Sequence, residues 1–142
     1  MALKLIDYGT HEYRQMLKLR DDLLRKPLGL SFSKDELEKE KDNILIGAFD
    51  DDDILGCCML VEQAPGVARV RQMAVLNNLQ GKGVGKAIMQ FAENLARDRG
   101  YKSLMMHARK NTVEFFEKLG YKVSSAEFVE ITIPHLVMEK EL

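Results

Sequence analysis

Gln80-Gly81-Lys82-Gly83-Val84-Gly85-Lys86 joins a strand ending at Val75 to a long amphipathic segment, and its reading decides the fold. Glycines at this junction let a ligand approach the backbone without Cβ obstruction. The unpaired N–H groups of the helix that follows favour an anion, with phosphate the natural choice. Lys82 and Lys86 add positive charge. A Walker A loop fails here, because its second glycine would fall at Lys86. A dinucleotide fingerprint starts at Gly81 and Gly83 but meets the same lysine. The bland alternative is a tight turn with no ligand; two lysines, three glycines and a strong following helix weigh against it.

Downstream of the loop, Val84, Ile88, Phe91 and Leu95 recur at helical spacing, with Lys86, Glu93, Arg97 and Arg99 largely on the other side. Gly100 is the expected stop. Lys102 to Ala108 reads as a strand, Thr112 to Leu119 as a short helix, and Tyr121 to Ser124 and Ile133 to Lys140 as final strands. Upstream, Asn43 to Phe49, Ile54 to Gln63 and Ala68 to Val75 form an antiparallel meander. Its first turn, Asp50-Asp51-Asp52-Asp53, lacks the alternating ligands and glycine of a calcium loop and reads as a solvated hairpin. Leu3 to Tyr8 is a strand. Thr10 caps a helix expected to stop before Pro27, and Ser33-Lys34-Asp35-Glu36 has the form of a capping box. The element order β α α β β β α β α β β gives an α+β fold with a partly parallel unit inside a mostly antiparallel sheet.

The chain has 142 residues, enough for one domain over 1–142. A net charge of -1, from 21 basic and 22 acidic residues, gives no electrostatic case for nucleic acid or an anionic membrane. Cys57 and Cys58 are adjacent, and in a strand they point to opposite faces, so they make a poor disulfide. No zinc spacing, signal-peptide core or membrane span is visible. A reduced, cytoplasmic setting and no metal are the expectations.

Gln80-x-x-Gly83-x-Gly85 resembles the Gln/Arg-x-x-Gly-x-Gly/Ala motif of the GNAT acetyltransferase superfamily, and Arg71-Gln72-Met73-Ala74-Val75 resembles that family's fourth strand. Phe115 to Tyr121 is similar to its Phe-Tyr-x-x-x-Gly-Phe/Tyr segment. The tail Phe128 to Met138, with Ile133-Pro134-His135, resembles a small ElaA-like branch, although Thr132 stands where that branch has glycine. The resemblance implies a three-layer fold with helices on both faces of a mixed, mostly antiparallel sheet. It implies acetyl-CoA as cosubstrate, its pyrophosphate on Gln80, Gly81, Lys82, Gly83, Val84, Gly85 and Lys86, and its pantetheine beside Met73, Ala74 and Val75. The family's pantetheine-binding asparagine has no fixed counterpart: Arg109 occupies its place and Asn111 lies two residues on. Phe116 stands where a tyrosine often protonates the CoA thiolate, and phenylalanine has no proton to give.

The resemblance further implies direct attack of a primary amine on the thioester in a ternary complex. An amine with a pKa near ~10.4 must first lose a proton. His135, Glu130 and His107 are the candidate bases, with His135 favoured for its place in the recognisable tail; the alternative for each histidine is a structural hydrogen bond. Tyr121 is a possible acid or a core aromatic. Met105, Met106 and Met138 fill a core or line a groove. Asp21 and Asp22 fall where the family builds its acceptor wall. A small-molecule or peptide amine is the expected partner, and a homodimer is suggested by resemblance alone. The competing readings are a catalytically inactive acyl-CoA sensor, for which Phe116 speaks, and an unrelated nucleotide-binding domain.

Overall fold

In the computed structural model, which describes residues 1–142, the Thr10 hydroxyl accepts from the Tyr13 N–H at 3.2 Å and opens α1 (His11–Arg20). The α-helix ends before Pro27, as expected, but already at Arg20. A π-turn (Asp21–Arg25) and a 3-10 turn (Lys26–Leu28) continue it. Pro27 lies in the first turn of the 3-10 segment, where its missing N–H has no partner to lose. Ser33 Oγ accepts from the Glu36 N–H at 3.2 Å and opens α2 (Lys34–Glu38), which a 3-10 turn (Lys39–Asp42) follows.

The chain divides into two compact units. The first is Met1–Val61 with Gln72–Ala92, and the second is Glu62–Arg71 with Glu93–Leu142.

In the first unit β1 (Ala2–Leu5) pairs antiparallel with β2 (Ile44–Asp50), and β2 pairs antiparallel with β3 (Asp53–Ala64). The four aspartates turn this hairpin, with Asp50 opposite Asp53 and Asp51 in the left-handed region. Cys57 and Cys58 are both fully buried. Because neighbours in a strand face opposite ways, β3 is covered on both faces. Gly56, between them and the hairpin, is required by close approach: a Cβ there would meet Ile88 Cδ1 at 2.9 Å and the Ala74 carbonyl oxygen at 3.0 Å. Burial pushes the Cys57 thiol up to about 12 and raises Cys58 as well.

Arg20, placed by its spacing on the apolar stripe of α1, is fully buried there as a charge. Its guanidinium donates two bonds to Glu40, Nη1 to Oε1 at 2.8 Å and Nη2 to Oε2 at 2.6 Å. The Tyr13 hydroxyl donates to Glu40 Oε1 at 3.0 Å, and burial together with that carboxylate raises the Tyr13 pKa well above its ordinary value. The bidentate pair fastens the 39–42 turn to α1. Phe32 lies under the guanidinium groups of both Arg20 and Arg25, at 4.7 and 4.4 Å.

In the second unit the start of β4 (Val67–Val75) runs parallel to β5 (Ser103–Arg109), with Val67–Arg69 opposite Ser103–Met105. Parallel neighbours need a crossover, which α3 (Val84–Asp98) supplies. α4 (Val113–Lys118) precedes β6 (Lys122–Val123). Two further strands, β7 (Phe128–Glu130) and β8 (Ile133–Glu141), complete the order, and β8 pairs antiparallel with β5, β6 and β7. β7 is not among the strands expected from the sequence. Its turn to β8 is Ile131-Thr132, both with positive φ (49° and 62°), as a two-residue hairpin turn requires. Asn-Gly is the usual signal for such a turn, and two β-branched residues hide it. Ala68, Val70, Leu104, Met106, Ala108 and Met138 are buried. The methionines therefore fill core.

Glu93 also departs from expectation. It is buried, not on the polar face of α3. Lys140 Nζ donates to its Oε1 at 2.8 Å and the Tyr121 hydroxyl to its Oε2 at 2.9 Å. Tyr121 is thereby a core aromatic with its polar tip satisfied. The sheet is mixed and mostly antiparallel, and the fold is α+β.

Two outcomes follow from these interiors. Glu40→Ala strands the Arg20 guanidinium in the core, and the expected loss is about 3–5 kcal/mol, measured by urea unfolding. Neither cysteine should react with a thiol reagent in the native protein at pH 8, whereas both should react once it is unfolded. Rapid native labelling of either would contradict the burial described.

Candidate functional site

β4 changes character at Gln72, whose φ of 53° breaks the extended strand. The β5 ladder covers only Val67–Arg69, so Met73, Ala74 and Val75 carry backbone groups that this ladder does not use. The Gln72 carbonyl is held by the Cys57 thiol at 3.5 Å. After Leu76, a 3-10 turn (Asn77–Leu79) leads to Gln80, whose amide donates to the Val75 carbonyl at 3.4 Å and to Asn77 Oδ1 at 3.2 Å. The strand end is thus tied to the loop that leaves it.

Gly81 and Gly83 both take left-handed φ, 79° and 87°. An ordinary residue is strained there, although a Cβ at either position meets nothing within 4 Å. Gly83 then accepts from the Ala87 N–H at 3.0 Å as the cap of α3, whose first residue Val84 is buried. Gly85 is half-buried, and Lys82 and Lys86 are exposed. The first-turn N–H groups of this 15-residue helix have no intrahelical acceptor and sit at the positive end of its dipole. All the residues from Met73 to Lys86 that the sequence singled out lie in this one strand–turn–helix of the first unit.

Asp21 and Asp22 belong to the same unit, and their charges are already matched. Asp22 takes Lys18 at 2.7 Å and Lys26 at 3.0 Å, and Asp21 faces Lys26 at 3.5 Å. The two lysines hold the Asp22 carboxyl below its ordinary pKa. A depression of about 390 Å³ lies alongside, lined by Leu17, Lys18, Asp21, Ser31, Phe32 and Leu37.

The three candidate bases come together in the second unit. Pleat and register explain why. His107 and Arg109 alternate on one face of β5, and Arg109 is opposite His135. His135 is opposite Phe128, and Glu130 follows on the same face of β7. Arg69 is opposite Met105, two residues before His107, so β4 contributes to that face as well. Glu130 Oε2 lies 2.7 Å from His107 Nδ1, and Arg69 Nη2 lies 3.0 Å from the same nitrogen. The Phe128 ring meets His107 edge-on at 5.3 Å and stacks on His135 at 5.9 Å.

His135 is buried, and its Nδ1 lies 2.7 Å from the Ile133 carbonyl oxygen. That oxygen can only accept, so Nδ1 carries the proton and the neutral ring keeps its lone pair on Nε2. Partial burial pushes the Glu130 carboxyl up, but the bond and charge of His107, with Arg69 and His135, outweigh it and hold the group below its ordinary value. Burial, then the like charge of Arg71, pulls Arg69 down against the opposing effect of Glu130. Arg69 and Phe128 were missed as site residues. The period-2 alternation of Ala68, Arg69 and Val70 carried the signal for the first.

Arg109 precedes one 3-10 turn (Lys110–Thr112) and Asn111 is its middle residue; the Thr112 hydroxyl closes it by donating to the Arg109 carbonyl at 2.7 Å. Phe116 is buried against Phe115 and Tyr121, at 5.0 and 5.9 Å. No helix is long and apolar enough to cross a membrane.

Comparison with known proteins supplies the family. The model of the GNAT acetyltransferase domain matches residues 28–142. The uncharacterized N-acetyltransferase YjcF of Bacillus subtilis is 33% identical over 108 residues, 75% of this chain and 75% of its own. Against the first of its relatives the chain spans only about half the length, 51%. Among solved structures, Escherichia coli ElaA superposes with a TM-score of 0.83 at 16% identity, covering 99% of both chains. An aminoglycoside 6'-N-acetyltransferase solved with coenzyme A gives 0.82 at 18%, covering 99% of this chain and 97% of that one. At such identities the structures speak for the fold alone. The domain match and the YjcF relationship carry the rest: this chain belongs to the GNAT acetyltransferase family.

Proposed function

We propose that residues 1–142 act as one N-acetyltransferase domain that moves the acetyl group of acetyl-CoA to a primary amine by direct attack in a ternary complex. The observation that carries this is the Gly81–Gly83 turn at the head of α3, with two left-handed glycines, free first-turn N–H groups and flanking Lys82 and Lys86. That arrangement suits a pyrophosphate. The backbone of Met73–Val75 is the candidate for holding the pantetheine and for donating to the tetrahedral oxyanion. A related fold solved with coenzyme A supports the choice of donor. Two unpaired thiols fit a reducing compartment such as the cytoplasm.

The second reading, an acyl-CoA sensor without turnover, is favoured by Phe116, a buried ring with no proton to donate. Calorimetric titration with acetyl-CoA, CoA and ATP, followed by a broad amine panel, separates the readings. Micromolar binding of acetyl-CoA but not of ATP, with turnover on an amine, is the expected result. Binding without turnover selects the sensor. Preference for ATP would overturn both.

Gly83→Val tests the loop. Valine at a φ of 87° carries strain on the order of 1–3 kcal/mol. The free turn can relax, but the bound one cannot. The expected rise in the acetyl-CoA Kd is therefore about tenfold or more. An unchanged Kd in a folded variant would place the pyrophosphate elsewhere.

A further inference from the structure

Gln72 holds a left-handed φ of 53° although it carries a side chain. Such a backbone costs free energy and persists only where its surroundings hold it. Within the first unit, Cys57 of β3 does so. It is fully buried, and its Sγ lies 3.5 Å from the Gln72 carbonyl oxygen. That oxygen only accepts, so the thiol donates. Burial pushes the thiol up to about 12, which keeps its proton in place, and a hydrogen bond from the Ala74 backbone to the sulfur pulls the other way. One side chain thus bridges both peptide groups of Met73, the carbonyl before it and the N–H after it. Farther along, the Leu76 N–H donates to the Leu55 carbonyl at 3.0 Å. Ala74 and Leu76 therefore turn their N–H groups toward β3. Successive N–H groups of a strand point to opposite edges, so those of Met73 and Val75 point away from β3. The β5 ladder, which ends at Arg69, does not use them.

We infer that Cys57 is a positioning residue for the cosubstrate: by bridging the Gln72 carbonyl and the Ala74 N–H, it holds the break in β4 that presents the Met73 and Val75 N–H groups to the pantetheine arm. This rests on the acetyltransferase reading above and adds to it a residue that touches neither acetyl-CoA nor the amine. Core filling is the competing role, and Cys58 measures it. Cys58 has the same side chain and the same complete burial, but it faces the other side of β3 and makes no bond to β4. Without the bridge, Gln72 is free to relax toward extended backbone, and the N–H groups after it lose their fixed direction. The arm must then order this segment as it binds, and that cost lowers its affinity. The glycine turn at Gly81–Gly83 lies beyond the bridged segment, so the pyrophosphate end of the cosubstrate does not depend on the bridge.

The test is calorimetric titration of the full chain with acetyl-CoA, with CoA, and with the CoA fragment that keeps the pyrophosphate but lacks pantetheine. Cys57→Ala should raise the Kd of acetyl-CoA and CoA about three- to tenfold and leave that of the fragment unchanged. Cys57→Ser, which keeps a donor and an acceptor, should recover most of the lost affinity. Cys58→Ala should lose stability in urea while all three Kd values stay as they were. A residue that only fills core does not separate the arm from the pyrophosphate in this way. The inference is overturned if Cys57→Ala binds acetyl-CoA as tightly as the unaltered chain, if the fragment weakens as much as CoA, or if Cys58→Ala weakens CoA equally. Should Cys57→Ala not fold, Cys57→Val, which is closer in volume and has no donor, takes its place. Proton NMR gives a check without ligand. A left-handed Gln72 produces a strong cross-peak between its own N–H and Hα, which should weaken in Cys57→Ala and persist in Cys58→Ala; an unchanged cross-peak in Cys57→Ala overturns the inference. No binding of acetyl-CoA by the unaltered chain would instead bring down the parent reading, and the cross-peak still tells whether Cys57 holds the backbone.

Discussion

A methyl group at position 56 would sit 2.9 Å from Ile88 Cδ1, 3.0 Å from the Ala74 carbonyl oxygen and 3.2 Å from Val84 Cγ1. Side-chain tips can yield a few tenths of an ångström, but the carbonyl belongs to β4 and cannot do so cheaply. The absence of a side chain at Gly56 therefore sets how closely both β4 and the first turn of α3 lie on β3. The loop from Leu76 to Gly83 is anchored at both ends by that approach. Gln80 bonds back to Val75 from within it, which ties the start of the turn to the end of β4. A packing constraint on one strand thus becomes a positional constraint on the proposed anion site.

Charged side chains in the interior are used in two ways, and the difference separates structure from candidate chemistry. Glu40 is surrounded by Arg20 and Tyr13, and Glu93 by Lys140 and Tyr121. In each, two carboxylate oxygens are met by a cation and a phenol, so nothing is left over for a substrate. Such pairs contribute little net stability relative to an apolar core, but losing one member is costly. The cluster around Glu130 has another composition. It contains two imidazoles, one carboxylate and one guanidinium, and the Glu130 and His107 side chains stay partly open, at 36% and 26% exposure. A group that must exchange protons cannot be closed off as Glu40 is.

Local physics was legible in the sequence. Thr10 and Ser33 capped as their spacing required, the meander formed where alternation placed it, and the glycine-rich loop fell at the strand-to-helix junction. What escaped depended on partners distant in sequence. Nothing near Arg20 announces Glu40, 20 positions away, and nothing near Glu93 announces Lys140, 47 positions away. Glu93 was read by helical period alone, which assigns a face but not a partner. α1 stops before Pro27, but its pattern toward Lys26 does not announce the π-turn that replaces its last residues from Asp21. His107, Glu130 and His135 were each visible as titratable residues. Their common face required the β5, β7 and β8 registers, which no single segment encodes.

The same registers give the strained tip of the β7–β8 hairpin a consequence. Ile131 and Thr132 both occupy the left-handed region, which costs β-branched residues on the order of 1–3 kcal/mol each. A longer, relaxed loop would remove that cost. It would also release the pairing of Glu130 with Ile133 and of Phe128 with His135, since hairpin register is set by turn length. With a slip of one residue, Glu130 would face the other side of the sheet and leave His107 to Arg69 alone. The tight turn therefore does more than close a hairpin. Its two-residue length is what keeps the Glu130 carboxylate on the face that carries His107 and Arg69.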